Sequence, residues 1–142
     1  EIRLSLVGSE MCIRDSCRPL PLDAWAASSL PRAVYDVVWL IRFWPRACLV
    51  TLPSIVAPRG LIVLSHFAHD PDPRIPRRGE PYLREYTSPP IDKRIQRGEL
   101  RALLDHWDGM YGPHEILDEC IERVEDGRPV HSLVLRVHLH RL

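Results

Sequence analysis

The chain has 142 residues, 45% of them hydrophobic, and its 19 Lys+Arg balance 19 Asp+Glu to a formal net charge of zero. That length suits one domain, and the charge balance excludes a nucleic-acid surface dominated by phosphate contacts. No apolar run approaches the length of a membrane span, and Leu4–Val7 is too short for the apolar region of a signal peptide, so the chain reads as soluble and cytoplasmic.

Val7–Ser16 reads VGSEMCIRDS, which matches an in-frame translation of a sequencing-library transposon adapter, and the chain begins at Glu1 rather than Met. Residues 1–16 are therefore set aside as an adapter artefact without ordered structure, leaving 17–142 as the domain. Cys17–Arg32 is a connector punctuated by Pro19, Pro21 and Pro31, in which Asp23 suits a helix cap ahead of Trp25. The four cysteines, Cys12, Cys17, Cys48 and Cys120, form no CxxC pair. Zinc-ribbon and thioredoxin-type sites are thus unsupported, and buried reduced thiols are expected.

Val34–Ile41 is an apolar run rich in β-branched and aromatic residues, the pattern of a strand buried on both faces. The following Arg46–Ala57 places Leu49, Leu52, Ile55 and Val56 on one helical face, with Pro53 in the first turn or at a kink. Pro58 ends that helix and Gly60 permits a tight turn into a second apolar strand, Leu61–Phe67. Two buried strands joined this way are parallel neighbours with a right-handed crossover. Ligand crevices of open α/β sheets lie beyond the carboxyl ends of such strands, here Ile41-Arg42-Phe43 and Ser65-His66-Phe67.

Prolines at 71, 73, 76, 81, 89 and 90 prevent regular structure across His69–Arg97. A loop this long is a lid, a binding segment or a solvated loop. Tyr82, Tyr86 and the Arg77-Arg78 pair lie within it. His66-x-x-His69-Asp70 contains zinc or iron ligand types, but no third fixed ligand is evident and no metal is expected. His66 reads better as a pocket-edge residue or general base, its ordinary pKa being near neutrality. Gly98–Trp107 carries Leu100, Leu103, Leu104 and Trp107 at helical spacing. Glu115–Val124 and Val130–Leu139 flank Glu125-Asp126-Gly127-Arg128, a hairpin signal. Ser65 lacks a nucleophile elbow.

Several of these residues together resemble class I S-adenosylmethionine-dependent methyltransferases, over roughly 35–136. Tyr35-Asp36-Val37-Val38 is similar to the start of that family's fourth strand, and Pro58-Arg59-Gly60 to the turn before its fifth. Arg42-Phe43-Trp44-Pro45-Arg46, Gly98-Glu99-Leu100 and Asp126–Val134 resemble motifs of the tellurite-resistance-like and rhodanese-fused branch. Pro45 replaces that branch's histidine.

The resemblance implies an α/β fold: a partial Rossmann-like sheet in the order fourth, fifth, seventh, sixth, with an antiparallel C-terminal hairpin. It implies S-adenosylmethionine as cofactor and an unidentified methyl acceptor as partner. Arg42, Phe43 and Asp23 are then the cofactor candidates, Trp44, Arg46, Tyr82 and Tyr86 the substrate candidates, and His66 the catalytic candidate. An aromatic beyond the fourth strand can stack on the sulfonium side of the cofactor or on a substrate, and arginines can hold an anionic substrate group. The plainer reading has Trp44 in the core and Arg46 capping a surface turn.

The glycine-rich turn that cradles the family's cofactor is missing, because the seven glycines are scattered. The chain therefore reads as the C-terminal half of a methyltransferase domain, inactive alone. With the first strand absent, 34–41 becomes an exposed edge open to self-association. The alternatives are a non-catalytic α/β interaction module with a Pro-rich docking loop, and half of another Rossmann-like enzyme.

Overall fold

Two apolar runs and the crossover between them build the centre of the sheet. In the computed structural model, which describes residues 4–5 and 31–137, strand β1 (Leu4–Ser5) is followed by β2 (Tyr35–Ile41) and the short helix α1 (Arg46–Leu49). A 3-10 turn (Leu52–Ile55) leads into β3 (Val56–Phe67). The long connection, with a second 3-10 turn at Ile91–Lys93, reaches helix α2 (Glu99–Tyr111) and the strands β4 (His114–Arg123) and β5 (Pro129–Val137). Among the described residues the sheet has five strands in the order β1-β2-β3-β5-β4.

β2 and β3 run parallel, pairing Val37 with Leu61, Val38 with Ile62, Trp39 with Val63, Leu40 with Leu64 and Ile41 with Ser65. β5 returns antiparallel against β3, and β4 antiparallel against β5. The series β2-β3-β5-β4 is the expected fourth, fifth, seventh, sixth order. The place beside β2 expected to be empty is partly filled: Leu4 pairs with Val37 and Ser5 with Val38, in parallel. Those two residues belong to the stretch set aside on sequence grounds, so the edge expected to lie open along 34–41 is narrower. Along Trp39–Ile41 that edge has no strand partner among the described residues, and Trp39 and Ile41 are exposed on one face of β2.

The opposite face is the core. Val38 and Leu40 of β2, Ile62 and Leu64 of β3, and Leu133, Leu135 and Val137 of β5 are buried with the crossover and with Leu100, Leu104 and Trp107 of α2. The period-two alternation of each strand sets this division. Trp107 fastens the helix to the crossover by donating from Nε1 to the Leu49 carbonyl at 2.9 Å.

The crossover differs from the single helix expected. α1 ends at Leu49 and a separate 3-10 turn begins at Leu52, with Pro53 near its start. Pro53 has no N–H for the Leu49 carbonyl and its ring crowds that turn, so the helix stops there. The Leu49 carbonyl instead accepts from Trp107, and the apolar residues Leu49, Leu52, Ile55 and Val56 are all buried.

β3 also starts earlier than expected. Val56 pairs with Tyr35, 57–60 bulges outward, and pairing resumes at Val37 with Leu61. Pro58 sits exposed in this bulge, where a missing N–H breaks no ladder bond. Arg59 takes the left-handed turn, at φ 64°. Gly60 is needed for close approach: a Cβ there would stand 2.6 Å from Val56 Cγ1, 2.8 Å from the Ala57 carbonyl oxygen and 3.0 Å from that of Asp36.

Gly60→Ala therefore forces the bulge away from β2. We expect a loss of about 1–3 kcal/mol, typical of overpacking, read as a lower urea midpoint at unchanged slope. An unchanged midpoint would mean that the bulge is not packed as described.

Candidate functional site

The site grows from the carboxyl ends of β2 and β3. Arg42, one residue past β2, extends the parallel ladder by donating its N–H to the Ser65 carbonyl at 2.7 Å. Its φ of 59° is left-handed, a conformation that costs a non-glycine residue roughly 1–2 kcal/mol. The Arg42 guanidinium carbon stands 4.9 Å from the Phe67 ring centroid, and that of Arg128 stands 4.3 Å from the same ring. Such cation–ring contacts are favourable, but they bring two positive charges to one aromatic side chain. Burial lowers the Arg42 pKa, the charge of Arg128 lowers it further, and Asp126 and Glu122 oppose the shift.

Arg128 arrives from the turn between β4 and β5. Its Nη1 donates to the Ser88 carbonyl at 2.7 Å, and its Nε lies 2.8 Å from Asp126 Oδ2. Hydrogen bonds from Arg128 hold the Asp126 carboxyl below its ordinary range.

His66, at the end of β3, is buried between aromatic rings. Trp44 stacks parallel to it, with centroids 6.1 Å apart, and Phe67 meets it edge-on at 5.7 Å. Its Nε2 lies 2.8 Å from the Lys93 carbonyl. A carbonyl only accepts, so Nε2 carries the proton. Nδ1 is buried without a hydrogen-bond partner. Burial lowers the pKa, and the charges of Arg42 and Arg46 add to that, against the Lys93 carbonyl and Glu99. The neutral imidazole is the form a general base requires, but its free lone pair is sealed from solvent, and contact with a substrate requires displacement of its neighbours.

Trp44 and Arg46, the substrate candidates, converge on Glu99. Trp44 Nε1 donates to Glu99 Oε1 at 3.1 Å, and Arg46 binds the same carboxylate through Nε and Nη2. Arg46 also donates to the carbonyls of Asp92 and Arg94. Burial pushes the Glu99 pKa up, but donors from Arg46, the Gln96 N–H and Trp44 outweigh it, and the net shift is downward. Arg46, Ile91, Asp92, Gln96 and Glu99 line an open hollow beside this cluster. Phe43 is partly buried against the core.

The Pro-rich connection is fastened at several points. Arg94 is 2% exposed. It donates to the carbonyls of Pro89 and Tyr86, at 2.7 and 2.6 Å, and lies 3.6 Å above the Tyr86 ring. The Tyr86 hydroxyl is taken up by the Ala68 carbonyl, and burial pushes its pKa up. Tyr82 packs under Arg77, 5.4 Å from the guanidinium. The segment also pairs along the outer edge of β4, where the Ile121 N–H donates to Pro76 and the Arg78 N–H to Ile121.

The histidine–aspartate pattern is dispersed. His66 faces the Lys93 carbonyl, His69 Nδ1 faces Arg94 Nη1 at 3.4 Å, and Asp70 pairs with Arg97. Among the described residues no group of three or more His, Cys, Asp or Glu is placed to hold a metal. Cys48 and Cys120 are buried, with thiol pKa values pushed up mainly by burial. Asp23 and the stretch 7–16 lie outside the described residues, as do His138 and His140. No helix among the described residues is long and apolar enough to cross a membrane.

Sequence reasoning named Arg42, Phe43, Trp44, Arg46 and His66, which the structure gathers around the strand ends. It missed Phe67, Arg94, Glu99 and Arg128 as members of the cluster. Arg128 was visible as part of a turn, but its place beside Phe67 depends on the pairing of β3 with β5.

A methionine-nucleoside cofactor needs donors for its carboxylate and ribose. Among the described glycines, Gly60 and Gly127 are crowded by protein atoms, while Gly79, Gly98 and Gly109 face open space.

No protein-family model matches the chain. It is 32% identical over 101 residues to the uncharacterized protein UNK4.09 of Schizosaccharomyces pombe, a match covering 70% of this chain and 26% of that protein. The fold is similar to that of the [4+2]-cyclase SpnF, with a TM-score of 0.54 and 10% identity, covering 87% of this chain and 56% of that one. It is also similar to a SAM-dependent methyltransferase from Methanosarcina mazei, with a TM-score of 0.56 and 13% identity, covering 87% of this chain and 68% of that one. The chain therefore has a methyltransferase-like α/β fold, and it spans about a quarter of the curated relative it matches.

His66 binds its proton less tightly folded than unfolded. The unfolded chain takes up that proton as pH falls through about 6.5, and the folded chain only at lower pH. Stability from this group is therefore complete above pH 6.5 and is lost as pH drops below it. We expect the urea midpoint to fall between pH 7.5 and 5.5, and His66→Phe to flatten that fall while lowering the midpoint at pH 7.5. An equal slope in both proteins would contradict this assignment.

Proposed function

We propose that the chain is the C-terminal half of a class I S-adenosylmethionine-dependent methyltransferase domain, from the tellurite-resistance-like and rhodanese-fused branch. The observation that carries this reading is the strand order β2-β3-β5-β4, two parallel strands followed by an antiparallel hairpin. The same order follows from the family motifs in the sequence, and the M. mazei fold supports it.

In this reading Arg42 and Phe43 border the cofactor, the loop 69–97 covers the acceptor side, and the cofactor's carboxylate and ribose are bound by a part of the parent protein outside this chain. The 142-residue chain is then inactive alone. No transfer step is assigned to His66, whose free nitrogen is enclosed.

The alternative of an interaction module with a Pro-rich docking loop is less well supported. That loop spends its groups inside the molecule: Pro76 on Ile121, Tyr86 on Ala68, and Pro89 on Arg94.

Calorimetric titration of S-adenosylmethionine tests the proposal. The parent protein should bind it, and the isolated chain should give no measurable heat of binding. A parent protein that fails to bind removes the methyl-transfer reading, and tight binding by the chain alone removes the claim that its site is incomplete.

A further inference from the structure

Arg42 and Arg128 reach the same ring from different parts of the chain. One follows β2 and the other leads into β5, and Phe67 at the end of β3 lies within 5 Å of both guanidinium carbons. Arg128 has partners for part of its fork, the Ser88 carbonyl and Asp126. Arg42 has none: among the described residues its guanidinium makes no hydrogen bond and no ion pair, and it lies over the Phe67 face. Its backbone is nonetheless held in a left-handed turn by the bond to Ser65.

The carboxylates near the pair balance Arg128 but leave Arg42 without an ion pair among the described residues. Asp126 and Glu122 are the carboxylates that act on Arg42. Asp126 is spent on Arg128, and Glu122 lies 3.7 Å from Arg78 Nη1. Arg94, buried over Tyr86, is likewise without a carboxylate partner among the described residues.

We propose that Arg42 and Arg128, braced on Phe67, form a binding site for an oxyanion, a carboxylate or phosphate group carried by the acceptor substrate. A planar guanidinium fork binds either group through paired charge-assisted hydrogen bonds. A bound anion also offsets the positive charge that each guanidinium places on the other, which stacking on a ring does not. The site lies beyond the carboxyl ends of two parallel strands, where open α/β sheets bind ligands. As a statement about the acceptor it rests on the methyl-transfer reading; as an anion site it does not.

The test is titration of the 142-residue chain with inorganic phosphate and, separately, with acetate, in chloride buffer of constant ionic strength. Side-chain Nε–H resonances of arginine report the contact directly, and calorimetry gives the affinity. The signals of Arg42 and Arg128 should move saturably with at least one anion, and the stronger of the two identifies the group. Arg42→Gln, which removes no internal hydrogen bond, should weaken that binding about tenfold or more. Arg42→Lys, which keeps the charge but loses the fork, should fall between.

Shifts in neither titration would overturn the proposal. So would undiminished binding by Arg42→Gln. If that variant fails to fold, the resonances of the unaltered chain still decide the matter. Anion binding by a chain whose parent does not bind S-adenosylmethionine would leave this site standing and remove the methyl-transfer reading.

Discussion

The parallel pairing of β2 with β3 is the constraint on which the rest depends. It lets the Arg42 N–H reach the Ser65 carbonyl, and it places His66 and Phe67 on opposite faces at the same end of the sheet. Because side chains alternate along a strand, a slip of one residue would exchange those faces. The bulge at 57–60 and the close approach at Gly60 help to fix the register, since β3 accommodates its additional residues there. The cluster at the carboxyl ends is therefore set in part by packing at the other end of the same strand.

A second constraint concerns hydrogen-bond supply. Each proline removes a backbone donor but keeps its carbonyl. The connection from 69 to 97 is thus rich in acceptors, and side-chain donors make up part of the difference. Arg46 serves Asp92 and Arg94, Arg94 serves Pro89 and Tyr86, Arg128 serves Ser88, and Gln96 serves Ile91. Arg94 achieves this while buried, where an isolated charge is costly unless it is hydrogen-bonded. Carbonyl oxygens and the Tyr86 ring take the place of a carboxylate. This network explains why a segment without regular secondary structure is tied to the strand ends, and why several arginines that resemble ligand contacts in the sequence also have structural partners.

Much of the sheet was legible in the sequence because its signals are local and redundant. The run 34–41, the run 61–67, the alternation of β5 and the helical spacing of α2 each specify an element, and the Asp-Gly turn joins the last two strands. The crossover was less legible. Pro53 could either open a helix or break it, and the choice depends on Trp107, 58 residues from Leu49 in sequence, which accepts the role of donor to that residue's carbonyl. Gly60 was assigned to a turn on its own flexibility, whereas the left-handed residue is Arg59 and the glycine is required by its neighbours. The candidate site was half legible. Residues next to the strand ends could be named from order alone, but Arg128 and Glu99 join it only through pairing and packing across the chain. The pairing of Leu4–Ser5 with β2 had no signal, since that stretch had been set aside.

The central claim is the direction and register of β2 and β3, and cross-strand nuclear Overhauser contacts in isotopically labelled protein measure both. The account predicts contacts that advance together along the two strands, Val38 with Ile62, then Trp39 with Val63, then Leu40 with Leu64. Contacts that advance along one strand while receding along the other, or none between these residues, would contradict it.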